Sequence, residues 1–91
     1  MSIDRAYVYR SIDSERDHQA VKWGERPHEV GAWLTIMRTL LSEAEVAWAK
    51  SSGDHAALVE IRKVIAVGVA CAEQHGLPFR SRHEPIERMR T

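Results

Sequence analysis

Nine consecutive apolar residues, Val64-Ile65-Ala66-Val67-Gly68-Val69-Ala70-Cys71-Ala72, stand inside a chain of only 91. A helix that is apolar all round must be covered on every side. A buried strand is the competing reading, because Val and Ile are frequent in the run. No other segment shows the alternation of a partner strand, however. Asp54 before the run, and Gly76 with Pro78 after it, are a helix cap and a helix stop. The pattern predicts a helix over 54–75, with Leu58, Ile61 and Ile65 turned inward while Glu60, Arg62 and Lys63 stay polar. Two further helices from one small subunit hardly enclose such a rod, so a helix from another copy is expected over it. Gly68 and Ala72, four apart, would permit close backbone approach there.

The rest of the chain divides at Gly and Pro. Val30, Trp33, Leu34, Met37, Leu40, Leu41, Ala44, Ala47 and Trp48 recur at intervals of three and four. That is the stripe of an amphipathic helix over 28–50, with Trp33 and Trp48 in its core. Ser51-Ser52-Gly53 is a link short enough to impose an antiparallel return. A first helix is expected over 11–23, capped by Asp13 or Ser14 and closed by Gly24 in the turn Gly24-Glu25-Arg26-Pro27. Residues 1–10 hold the β-prone Tyr7-Val8-Tyr9 and read as an N-terminal arm. Residues 77–91, with Arg80, Arg82, Arg88 and Arg90, read as an Arg-rich tail. The expected fold is all-α: a three-helix subunit at 11–76 whose bundle is completed by oligomerisation.

Composition excludes whole classes of function. Thirteen basic residues balance thirteen acidic ones, which leaves no cationic excess for general nucleic-acid binding. The apolar run is too short to span a bilayer, so no membrane is expected. A lone cysteine and the absence of an apolar leader after Met1 point to a cytoplasmic chain. Cys71, inside the apolar run, reads as buried and inert. His18, His28, His55, His75 and His83 show no zinc spacing.

Polar groups on the helices are what remain for chemistry. Glu15, Gln19 and Lys22 fall at i, i+4 and i+7, one face of the first helix. A carboxylate, an amide and an ammonium so placed can read a base edge and meet a phosphate; a solvated face is the plainer alternative. Glu43 and Glu60 lie roughly level on an antiparallel pair, and Mg²⁺ commonly binds through one or two carboxylates with phosphate and water. Lys63 sits three residues beyond Glu60 on the same face, where it would repel a divalent ion and could pair with Glu60 instead.

The string Glu15-Arg16-Asp17-His18-Gln19-Ala20-Val21-Lys22-Trp23-Gly24-Glu25-Arg26-Pro27-His28 resembles the ER-x-x-Q-x-x-KWG…H opening of MazG-like proteins, members of the all-α nucleoside triphosphate pyrophosphohydrolase superfamily. Glu60-Ile61-Arg62-Lys63-Val64-Ile65-Ala66-Val67 is similar to that family's E-L-x-x-V-x-A-V helix, and the likeness spans roughly residues 15–76. The resemblance implies a bundle completed as a dimer or tetramer, and Mg²⁺-dependent cleavage of a nucleoside triphosphate between its α- and β-phosphates. It implies metal ligands in an E-E-x-x-E stretch, which falls on Thr39-Leu40-Leu41-Ser42-Glu43, and in an E-x-x-D stretch, which falls on Glu60-Ile61-Arg62-Lys63. Glu43 and Glu60 are thus the expected catalytic and metal residues, while Thr39, Leu40 and Lys63 stand where carboxylates belong.

The expected function is a MazG-like nucleotide-binding protein whose pyrophosphohydrolase activity is reduced or lost. Glu15, Gln19, Lys22, Trp23, Arg38 and Lys63 would hold the nucleotide-like ligand. The alternative is a non-catalytic helical homo-oligomer that binds a nucleotide signal or a protein partner.

Overall fold

A computed structural model of the chain describes residues 2–50 and 53–81. Among them all regular structure is helical: α1 (Arg5–Trp23), α2 (Val30–Lys50) and α3 (His55–His75), with no strand. The expected all-α class is therefore present.

The first helix begins six residues before its expected start. Asp4 supplies the cap, its Oδ1 accepting from the Ala6 amide at 3.3 Å and its carbonyl from the Val8 amide at 3.2 Å. Residues 5–10 are accordingly helix and not an arm. Strand preference at Tyr7-Val8-Tyr9 is a fraction of a kcal/mol per residue, small enough for the Asp4 cap to offset; Tyr7 and Val8 line an open groove with Leu58 and Ile61 of α3 and stay 58% and 40% exposed. At the other end Gly24, at φ 72°, turns the chain out of the helix while its amide still bonds the Ala20 carbonyl.

The start of α3 departs from expectation differently. Asp54 precedes the helix, but its side chain caps nothing. It accepts instead from Trp48 Nε1 at 3.2 Å, tying the end of α2 to the start of α3. Gly76 closes α3 at φ 84°, its amide bonding the Ala72 carbonyl at 2.7 Å; that left-handed geometry is why glycine stands there.

α3, which carries the longest apolar run, is the axle. α2 packs antiparallel on α3, α1 packs on another side of α3, and α1 and α2 share no packed interface. Trp33, Val67 and Ala70 form the centre of the core, with Ile36, Met37, Leu40 and Cys71 against them. Four of the seven buried apolar residues described are alanines, and Ile12 alone represents α1. So small a core leaves large side chains outside. Leu58, Ile61 and Ile65, expected to face inward, are 58%, 37% and 41% exposed, and Trp48, expected in the core, is 62% exposed. The reason is geometric: α1 and α2 meet α3 on the sides carrying Ala57, Ala66, Val67 and Ala70, and leave the Leu58–Ile61–Ile65 stripe uncovered.

α1 has no apolar stripe with which to dock, and it docks with ions instead. Arg16 makes a two-point contact with Glu73, both N–O distances 3.0 Å, and Arg62 Nε reaches Glu15 Oε1 at 2.9 Å. No helix of the described residues is long and apolar enough to cross a membrane. The greater part of the expected tail, residues 82–91, lies outside the described residues, as do Ser51 and Ser52 of the link.

Candidate functional site

The turn from α1 to α2 passes over the last turn of α3, and one side chain fastens it. Gln74 Oε1 accepts from the His28 amide and from Trp33 Nε1, both at 3.0 Å, while Gln74 Nε2 donates to the Arg26 carbonyl at 2.7 Å. His75 Nε2 lies 2.7 Å from the His28 carbonyl. A carbonyl only accepts, so this contact assigns the His75 proton to Nε2. The His28 ring stands edge-on to Trp33, centroids 4.9 Å apart at 90°. Backbone that would otherwise be a free loop is thus held at residues 26 and 28 by α3.

That turn closes a cavity of about 420 Å³ lined by Lys22, Trp23, Gly24, Arg26, His28 and Trp33. Two permanent cations, an imidazole and two indoles surround it, and no carboxylate is among the lining residues. Lys22 Nζ lies 5.8 Å from the Trp23 ring centroid, close enough to ride on the indole face. Trp23 is half-exposed at the rim and Trp33 buried at the floor. Chemically the arrangement suits an anion that carries an aromatic group: guanidinium and ammonium for the charge, indole for stacking. A neighbouring cavity of about 510 Å³ shares His28 but is mixed in charge, and its Arg16 is engaged by Glu73.

A second polar constellation runs along the α1–α3 contact. Glu15 is buried and held by Arg62. Gln19 is 2% exposed; its Nε2 donates to the Lys63 carbonyl at 3.2 Å, and its Oε1 is buried without a hydrogen-bond partner. Lys63 Nζ stands 2.8 Å from Glu60 Oε2, an ion pair between residues three apart. Glu15 and Gln19 are therefore not a solvated face.

The expected site residues separate into groups. Lys22 and Trp23 line the cationic cavity; Glu15 and Gln19 lie on the α1–α3 seam, where Gln19 meets the Lys63 carbonyl; Glu60 pairs with Lys63 along α3; Arg38 and Glu43 are exposed on α2. Glu15, Gln19, Arg38, Glu43, Glu60 and Lys63 line neither of these cavities, nor the apolar groove between Tyr7 and Leu58. Among the described residues no three His, Cys, Asp or Glu side chains come together as metal ligands. The donor set around Glu60 does not fit Mg²⁺, because an ammonium already occupies its carboxylate.

Sequence reasoning missed Arg26 and His28, which line the cationic cavity, and Gln74, which braces the turn beside it. Arg26 and His28 fall within the motif string at 15–28, a signal that was available. Gln74 had none, because its role depends on the end of α3 meeting a turn 46 residues earlier. The sequence matches no family model, no curated protein and no solved structure.

Proposed function

We propose that this protein is a MazG-like nucleotide-binding protein in which pyrophosphohydrolase activity is reduced or lost. One observation carries the reading: the cavity of about 420 Å³ with Lys22, Arg26 and His28 beside the indoles of Trp23 and Trp33. A phosphate chain meets the cations and a base stacks on indole. Lys22 and Arg26 are exposed ions that no carboxylate in the cavity neutralises, so their charge remains available to the ligand. The ion pair of Lys63 with Glu60 supports binding over metal-assisted cleavage, since phosphoryl chemistry needs carboxylates free to hold the ion. The reading includes assembly as a homo-oligomer, a dimer or tetramer.

Titration calorimetry against nucleoside mono-, di- and triphosphates, with an unphosphorylated nucleoside as control, tests it. Phosphorylated ligands bind and are recovered intact by ion-exchange chromatography; the nucleoside binds at least tenfold more weakly. Lys22→Ala and Arg26→Ala each weaken binding by about tenfold, the loss of one charge-assisted contact. Indifference to both substitutions, or no binding across the panel, overturns the proposal. Release of pyrophosphate with Mg²⁺, abolished by Glu43→Ala and Glu60→Ala, would assign the hydrolase reading in its place.

A further inference from the structure

Between α1 and α2 the chain forms no helix, and successive residues turn to opposite sides of it. Gly24, Arg26 and His28 line the cationic cavity of about 420 Å³; Glu25, Pro27 and His28 line its neighbour of about 510 Å³. An extended chain presents alternate residues to its two faces, so this turn is a partition with a compartment on either side. Gln74 holds the partition in place through the Arg26 carbonyl and the His28 amide. His28 stands at its end and belongs to both compartments. The Trp33 indole also joins them: its ring floors the first, and its Nε1 bonds Gln74, which lines the second. A flat ring laid on that indole and extended past His28 brings its edge into the second compartment.

The two compartments differ in charge. The first holds Lys22 and Arg26 and no carboxylate. In the second, the ions cancel but for one. Arg16 engages Glu73 through two contacts of 3.0 Å, and His75 is committed to the His28 carbonyl. Glu25 is exposed, and among the described residues no cation pairs with it. We infer that Glu25 selects the base of the bound nucleotide, and that the base it selects is guanine. The phosphate chain is drawn to Lys22 and Arg26 and repelled by Glu25, which leaves the base as the end directed at the carboxylate. An ionised carboxylate only accepts, and it does so through two oxygens. Its match is a pair of neighbouring donors. Guanine presents N1–H and its amino group side by side. Adenine and cytosine set one amino group beside a ring-nitrogen lone pair, which would face the second oxygen; uracil flanks its single N–H with carbonyls. The inference rests on the nucleotide reading above and adds the identity of the base to it.

Titration calorimetry of the full chain with the triphosphates of guanosine, inosine, adenosine and cytidine, in EDTA so that no metal-assisted cleavage intervenes, tests it. Inosine keeps N1–H and lacks only the amino group. Guanosine triphosphate is expected to bind about tenfold more tightly than inosine triphosphate, the worth of one charge-assisted hydrogen bond open to water. The adenosine and cytidine compounds bind more weakly than inosine. Glu25→Gln, at an exposed turn position, exchanges one acceptor for a donor. It should bring the guanosine preference below about twofold while inosine triphosphate keeps its affinity to within about threefold. Equal affinity for the guanosine and inosine compounds overturns the selectivity and leaves the nucleotide reading standing. A preference that persists in Glu25→Gln, or an equal loss for every nucleotide, overturns the assignment to Glu25. Binding of none of the compounds overturns both readings.

Discussion

Glu15 and Arg62 differ in what they do when left alone. Glu15 has its side chain 8% exposed, whereas that of Arg62 is 39% exposed and can turn to water. Removing the arginine strands a carboxylate in the α1–α3 seam; removing the carboxylate strands nothing. Arg62→Met is therefore expected to cost about 2–3 kcal/mol, toward the low end for broken buried pairs because Arg62 is partly solvated. Glu15→Leu should cost under about 1 kcal/mol. Urea unfolding of both variants measures the difference, and equal losses would contradict it. Gln19 makes a parallel case. Its carbonyl oxygen is buried without a partner, so a hydrocarbon of similar size removes an unmet demand along with one hydrogen bond. Gln19→Leu is expected to change stability by less than about 1 kcal/mol, whereas an amide with a full complement of partners would lose more.

At the scale of elements, the turn between α1 and α2 owes its shape to α3. Gln74 bonds that turn at His28 and Arg26 and holds the Trp33 indole. Gln74→Ala should speed hydrogen exchange of the His28 amide about tenfold or more and weaken ligand binding at the cationic cavity, with the helices intact by circular dichroism. Protection of His28 unchanged in that variant would mean the turn holds itself. Gly68→Ala is expected to stabilise α3 by up to about 1 kcal/mol, since the added methyl meets Met37 at an ordinary contact distance and helix propensity improves. Thermal unfolding reads the gain; a fall would mean that another backbone lies against that position.

What was legible in the sequence follows the same division by element. The stripe of α2 and the Gly76 stop of α3 are local patterns, and they yielded two helices to within two residues of their bounds. The start of α1 was hidden because Tyr7-Val8-Tyr9 favours extended backbone locally, while the Asp4 cap that starts the helix lies ahead of those residues. Trp48 and Leu58 read as core because periodicity marks which residues share a face, never whether that face is covered. Lys22 could be named from its interval with Glu15 and Gln19, and Trp23 because the motif carries it. Gln74 could not, since nothing in a helix-ending glutamine says which turn it will meet. The pairing of Glu60 with Lys63 was readable from an interval of three, and it stands.

Considered whole, the chain is a single sheet of helices around α3. Among the described residues the buried apolar core is four alanines, one valine, one isoleucine and one tryptophan, and chains of this size bury only about 60–65% of their unfolded surface. Stability should therefore depend on association. Raising protein concentration tenfold is expected to raise the melting temperature by a few degrees, as mass action requires of a fold coupled to dimerisation. Calorimetry over that range checks it, and a melting temperature that does not move would mean the layer is stable alone.

The three indoles stand in three settings: Trp23 half in solvent beside Lys22, Trp33 enclosed and hydrogen-bonded to Gln74, Trp48 in the open at the far end of α2. Their emission should consequently be separable. With the other two replaced by phenylalanine, Trp23 reports by quenching when an anion arrives, Trp33 by a red shift when the molecule melts, and Trp48 by a blue shift when copies meet. Occupancy, unfolding and assembly can then be followed as distinct optical signals, without attaching a dye.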